Sequence, residues 1–328
     1  MWIENLKYPI NYELVLKETI SKSKNAEIKS FETLNRIIPF DIVYIIINAY
    51  NNNSQSRSFL KSTNTLDDDI CECYIKNNFS RYKQIYLLNE SLRKRLFQTK
   101  GLDTISMEIL NKLPYDFFYV ELAMNSNLMI KNQKIQGFIV SKEMFNNDNS
   151  IHNNLVLILK LETGYIPLKI KMCETIEQSI NSLWSIEDIS NKEKEECVKI
   201  FHDILQVVVY MCSINPDIKK SRRGIQVKNK SKNKSKKSEK PITYNEIGFK
   251  LGATLGATKY IYDNENNDVI NTTSKTGGGK KAPHIRKPHW HTYRVGKNRT
   301  DISIKWLDAM FINATDENDV AITIHKMK

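Results

Sequence analysis

A chain of 328 residues with 41% hydrophobic side chains is long enough for one large core or two smaller ones. Its formal net charge is +12, but from Lys219 to Lys240 eleven Lys or Arg face the single Glu239, a net of +10, so 12 − 10 leaves only about +2 elsewhere. The basic character is a linker property, which excludes a chain that is uniformly polycationic in the way a nucleic-acid-coating protein is.

At the start, Met1-Trp2-Ile3-Glu4 has neither the basic region nor the apolar run of a secretory signal. With five scattered cysteines (Cys71, Cys73, Cys173, Cys197 and Cys212), this points to a reducing, cytoplasmic setting. Phe31, Leu34, Ile37 and Ile38 fall at helical spacing, Pro39 stops or restarts the helix, and Ile42 to Tyr50 continues it. The apolar run Ile42 to Ile47 is far shorter than the ~20 residues that cross a bilayer, so no membrane partner is expected. Cys71-Glu72-Cys73 is too closely spaced for a zinc knuckle, and no second pair answers it.

A helix is expected from about Ser80 to Gln98, with Tyr82, Ile85, Leu88 and Leu92 on one side and Arg93, Lys94 and Arg95 near its end. Ser106 to Leu113 gives a short helix closed by Pro114. The period then changes. Phe117 to Leu122, Gly137 to Phe145, Leu155 to Leu161 and Ile166 to Met172 are short apolar or β-branched runs separated by Asn-rich or Gly-containing turns, an antiparallel meander. Thr175 to Leu183 and Asn191 to Ile214 return to helical spacing, the second with Val198, Phe201, Leu205 and Val208 on one face and Pro216 beyond its end.

Lys228 to Lys240 contains no apolar residue and repels itself, so it is expected to be disordered. Three domains follow: a body at 1–218, a basic linker at 219–242 and a C-terminal module at 243–328. The fold class is α+β, a helical N-terminal region with an antiparallel sheet and a long helix, then a small α/β module. Within that module Tyr244 to Tyr262 carries helical spacing despite glycines at every fourth position, Thr272 to Lys281 is a flexible approach, and Tyr293 to Val295, Ile302 to Trp306 and Val320 to Ile324 alternate as strands. Gly277-Gly278-Gly279-Lys280 lacks the spacing of a phosphate-binding P-loop.

Three of the six histidines lie within eight residues, His284, His289 and His291, beside Arg286, Lys287, Trp290, Tyr293 and Arg294. In an extended segment His289, His291 and Tyr293 share one face and Trp290 and Thr292 the other. Four readings stay open. Two histidines at i and i+2 with His284 suit a transition metal, although the first acid after them is Asp301. Paired histidines as general base and acid, with Arg286, Lys287 or Arg294 neutralising phosphate charge, suit ribonuclease chemistry, with His284, His289 and His291 as catalytic candidates. Trp290 and Tyr293 as stacking platforms, with Arg286, Lys287, Arg294, Lys297 and Arg299 on phosphates or an acidic peptide, suit recognition. Alternatively the histidines and Trp290 are hydrogen-bonded parts of a small β module.

The segment Pro283, His284, Arg286, His289, Trp290, His291, Tyr293, Gly296, then Lys305-Trp306 and Asn313, resembles the C-terminal signature of the family of the second type V-A anti-CRISPR protein. Weaker likeness extends to Leu113-Pro114, Phe118 to Glu121, Gly137 to Val140, Ile204 to Ser213 and Ile247 to Gly252. The resemblance implies a binding protein that lowers production of a type V-A effector nuclease by recognising the nascent polypeptide and causing loss of its mRNA. The implied partners are a nascent peptide or effector protein and an mRNA or ribosome, with no metal and no cofactor. Binding residues would be His284, Arg286, His289, Trp290, His291, Tyr293, Arg294, Lys305 and Trp306.

Overall fold

A computed structural model of the protein describes residues 10–22, 37–52, 66–147, 150–181, 191–221, 241–251 and 284–312. At its centre is an eight-stranded sheet made of β1 (Gln84–Leu88), β2 (Phe117–Glu121), β3 (Met129–Ile130), β4 (Gln133–Asn147), β5 (Ser150–Leu161), β6 (Tyr165–Lys171), β7 (Ile218–Lys220) and β8 (Thr243–Ile247). Their spatial order is β6-β5-β4-β2-β1-β8-β7, with β3 beside β4. β2, β4, β5 and β6 form the antiparallel meander that the turn spacing predicts. The sheet as a whole is mixed, because β1 runs parallel to both β2 and β8.

The helix expected over 80–98 is three elements: the end of α3 (Leu66–Tyr82), β1, and α4 (Glu90–Phe97). Lys83 takes a left-handed φ of 50°, which stops α3. Every residue of β1 is buried, since a strand with parallel neighbours on both sides has no solvent face and reads as a continuous apolar run rather than an alternating one. The Asn89 side chain accepts from the N–H groups of Ser91 and Leu92, restarting the helix. Tyr244 to Ile247, also expected to be helical, is β8, and Gly248 at φ 75° leaves the strand. Two N-terminal helices lacked a clear periodic signal, α1 (Ile10–Lys22) and α3, whereas α2 (Phe40–Asn52) begins directly after Pro39. Ser106 caps a 3-10 helix (Met107–Lys112), and α5 (Ile176–Asn181) and α6 (Asn191–Met211) lie where spacing placed them.

Strand alternation splits the interior into two layers. Ile85, Leu87, Phe117, Tyr119, Ile139, Val156 and Ile158 pack against α1, α2 and α3. Tyr86, Leu88, Phe118, Val120, Phe138, Val140, Leu155, Leu157 and Leu159 face α4, the 3-10 helix and α6. Four further strands follow: β9 (His284–Arg286), β10 (His289–Val295), β11 (Asp301–Leu307) and β12 (Met310–Ile312). β10 and β11 form an antiparallel hairpin and β9 pairs with β12, so small separate antiparallel sheets do stand near the C-terminus.

The boundaries drawn at 218 and 243 from composition do not divide the core. Lys219 and Lys220 belong to β7, β8 sits between β1 and β7, and Trp290, Ile304 and Trp306 join the same buried cluster as α6. Residues 222–240 of the basic linker lie outside the described residues. So do Phe31 to Arg36, residues 252–262, the glycine-rich approach at 272–281 and Val320 to Ile324.

One buried carboxylate ties α2 to the sheet. Glu143 Oε1 accepts from the Tyr74 hydroxyl at 2.6 Å and from the Phe40 N–H, at the first turn of α2, at 2.8 Å. Burial pushes its carboxyl up to about 7, although the Tyr74 and Phe40 hydrogen bonds and the Lys169 charge pull the other way. The unfolded chain ionises this group near 4.5, so the stability it confers is complete below about pH 4.5 and is lost as pH rises through about 7. Chemical denaturation at a series of pH values is expected to show this loss, roughly 3 kcal/mol at most, and Glu143→Gln is expected to flatten the slope between those limits.

Candidate functional site

Residues 99 and 100, at the end of α4, receive the hairpin. The Lys100 N–H donates to the Pro288 carbonyl at 3.2 Å, and the Trp290 N–H donates to the Lys100 carbonyl at 3.3 Å. On the other strand the Ile214 N–H donates to the Ile304 carbonyl at 2.8 Å, and the Lys112 ammonium donates to the Ile302 carbonyl. Trp290 stands directly opposite Trp306 across the hairpin.

Both indoles point inward, at 8% and 9% exposure, and both N–H groups are satisfied. Trp290 Nε1–H donates to Gln206 Oε1 at 2.6 Å, and Gln206 Nε2–H donates to the Thr99 carbonyl at 2.9 Å. Trp306 Nε1–H donates to Thr99 Oγ1 at 2.9 Å, and that hydroxyl donates to the Arg95 carbonyl at 3.0 Å. Tyr210 meets Trp306 edge to face, with ring centroids 5.8 Å apart. Just past β11, burial pushes the Asp308 carboxyl up from its ordinary range, against the pull of the Ala309 N–H and the Arg95 charge.

The turn between β10 and β11 takes left-handed backbone at Gly296 (φ 82°), Asn298 (φ 65°) and Arg299 (φ 56°). A Cβ at Gly296 would stand 2.4 Å from the exposed Asp301 carboxylate, which can swing aside, so it is the positive φ that calls for glycine there.

The opposite face of the hairpin is open. His291 stacks on Tyr293 with centroids 4.3 Å apart and rings inclined at 24°. Across the strand from His291 lies Lys305, and the exposed Arg286, Lys287 and Arg294 lie along the same segment. His289 is half-buried, its Nδ1 is 3.1 Å from the Lys287 carbonyl, and its partner across the hairpin is Leu307. His284 pairs with Ile312 in β9. Among the described residues no group of three or more His, Cys, Asp or Glu gathers at one point.

Of the nine expected binding residues, then, Arg286, His291, Tyr293, Arg294 and Lys305 face solvent. Trp290 and Trp306, both expected as binding residues, are instead buried anchors; for Trp290 alone this agrees with the structural reading of that segment. Thr99 and Gln206 were assigned no role from sequence. The available signal was a lone amide inside the apolar run Ile204 to Cys212, because a fully buried glutamine demands partners.

A family model described as AcrVA2-like, the anti-CRISPR type V subtype A2 family, matches residues 86–314, more than half of the chain. The match starts inside β1 and runs past β12, so it takes in the sheet, α6 and the hairpin, while α1, α2 and α3 precede it. A solved structure titled "Crystal structure of AcrVA2" is similar over 92% of each chain at 17% identity with a TM-score of 0.50, which is a likeness of fold. No curated protein matches.

Truncation should cost far more beneath the buried face of the hairpin than on its open face. Gln206→Ala orphans the Trp290 indole N–H and the Thr99 carbonyl and leaves a cavity, an expected loss of about 2–4 kcal/mol in urea unfolding. His291→Ala and Lys305→Ala, on the open face, are each expected to change stability by less than about 0.5 kcal/mol.

Proposed function

The chain belongs to the anti-CRISPR type V subtype A2 family, and from that premise we propose that it is an anti-CRISPR-like binding protein that recognises a nascent polypeptide and promotes loss of the mRNA being translated. Its target on this reading is a type V-A effector or another protein made on the ribosome. Production of that target falls, and the finished protein need not be attacked.

One observation carries the reading: the signature residues divide between an inward anchor and an outward display. Trp290 and Trp306 fix the hairpin to α4 and α6, while His291 and Tyr293, with Lys305 across the strand, stand on the opposite, solvent-facing side, and Arg286 and Arg294 are exposed elsewhere on the same segment. Side chains held before the partner arrives lose less freedom on binding. A stacked imidazole and phenol with a lysine across the strand suit aromatic or nucleobase faces, phosphates and carboxylates, which are the groups a ribosome-bound nascent chain and its message present. No described helix is long and apolar enough to cross a membrane.

The alternative activity, ribonuclease chemistry by His284, His289 and His291, has a separate test. Labelled RNA incubated with wild type and with the His289→Ala, His291→Ala double variant is expected to remain equally intact; cleavage by the wild type alone would establish an enzyme. For the binding reading, sedimentation with ribosomes and anisotropy with labelled RNA and effector N-terminal peptides are the measurements. The triple variant Arg286→Ala, Arg294→Ala, Lys305→Ala is expected to bind ~10-fold or more weakly without loss of fold. Failure of the wild type to bind RNA, ribosomes and peptides alike would end the proposal.

A further inference from the structure

Among the described residues, the hydrogen bonds around the hairpin leave one edge of β10 without a backbone partner. In an antiparallel pair, residues at non-hydrogen-bonded positions turn their N–H and C=O away from the partner strand. Trp290 is such a residue, because its N–H goes outward to Lys100, and by alternation so are Thr292 and Arg294. The same alternation holds on β11, where the outward carbonyls of Ile304 and Ile302 are taken by the Ile214 N–H and the Lys112 ammonium.

Among the described strands the other long edge is β6, where the Tyr165 N–H donates to Asp68 and Pro167 has no N–H to offer. On β10 the situation differs. Lys100 pairs in parallel with His289 for a single residue, Gly101 at φ 84° turns the chain away, and among the described residues no backbone partner takes up the outward groups of Thr292 and Arg294. Both residues are exposed.

We propose that this open edge of β10, where Lys100 leaves it, is a strand-addition site for an extended acidic peptide. Deepening the peptide-recognition reading above and resting on it, the proposal names how the peptide is held. The incoming strand would continue the ladder that Lys100 begins, exchanging backbone hydrogen bonds with Thr292 and Arg294. Its side chains alternate between two faces. On one face they meet Tyr293 and Val295, which are 37% and 41% exposed. The other face brings them alongside Arg294. Charge complementarity selects the occupant: from His284 to Thr300 there is no Asp or Glu, while Arg286, Lys287, Arg294, Lys297 and Arg299 supply cations. A peptide alternating apolar and acidic residues fits both faces.

The probe is a fluorescein-labelled decapeptide of alternating valine and glutamate, titrated into the full-length protein and followed by anisotropy at neutral pH. Saturable binding is expected. A peptide of the same sequence N-methylated at every second residue along one edge, and a valine–lysine counterpart, are each expected to bind at least ~10-fold more weakly. Arg294→Pro removes the outward N–H together with the guanidinium, whereas Arg294→Ala removes the guanidinium alone; an edge strand tolerates either, so both should keep the thermal transition, and the proline variant is expected to weaken the probe several-fold beyond the alanine one.

Absence of wild-type binding to the valine–glutamate probe overturns the proposal. It is equally overturned if N-methylation leaves the affinity unchanged and Arg294→Pro weakens the probe no more than Arg294→Ala, or if oligouridylate displaces the probe and the unlabelled valine–glutamate peptide does not. These outcomes are separable from failure of the broader reading: effector peptides or ribosomes that bind wild type and Arg294→Pro alike would leave peptide recognition standing and remove only the edge.

Discussion

The side chain of Gln206 is where three segments distant in sequence are joined. Its amide accepts from the Trp290 indole and donates to the Thr99 carbonyl, while Thr99 receives the second indole, that of Trp306. All four groups are buried, so each bond made there avoids the cost of an unpartnered polar group in the interior, which is larger than the net gain from a typical exposed hydrogen bond. The hairpin's position follows from this closure, since two tryptophans on opposite strands must enter the same pocket for every donor to find its acceptor. Register follows too: a slip of one residue would turn both indoles to solvent.

This constraint separates two roles that the sequence presents as one. His289-Trp290-His291-Thr292-Tyr293 reads as a dense cluster of chemically able side chains, and density suggests a site. In the fold, alternate residues do different work: Trp290 enters the core and His291 and Tyr293 leave it. Buried and exposed side chains interleave there, so the anchors hold the segment in place while His291 and Tyr293 stay accessible.

Much of the fold was legible. The meander from β2 to β6, the long α6 and the hairpin strands lie where local period and turn residues indicate. What was not legible has common causes. β1 is a central strand flanked by parallel neighbours, so the alternation that would mark it is absent, and apolar residues at 82, 85, 88 and 92 imitate a helix. β8 lies far from its partner in sequence, and strand pairing across a long connection leaves no local trace. The basic run at 219–240 looked like a domain boundary because composition changes there, yet β7 and β8, on either side of it, are neighbours in the sheet. For the candidate site, residue types were legible and their directions were not: nothing in the string marks which of Trp290 and Tyr293 is buried, and Thr99 becomes meaningful only once it stands beside Trp306.

The account depends on the hairpin being part of the body's cooperative core, not an appended module. Native-state hydrogen exchange with mass-spectrometric readout of a peptide spanning 289–307 tests this most directly. If the indole network joins the hairpin to α4 and α6, the amides hydrogen bonded between β10 and β11 open with the same free energy and denaturant dependence as those of α6. Exchange of the hairpin at a much lower free energy, while α6 stays protected, would mean that the C-terminal segment opens on its own and would contradict the account.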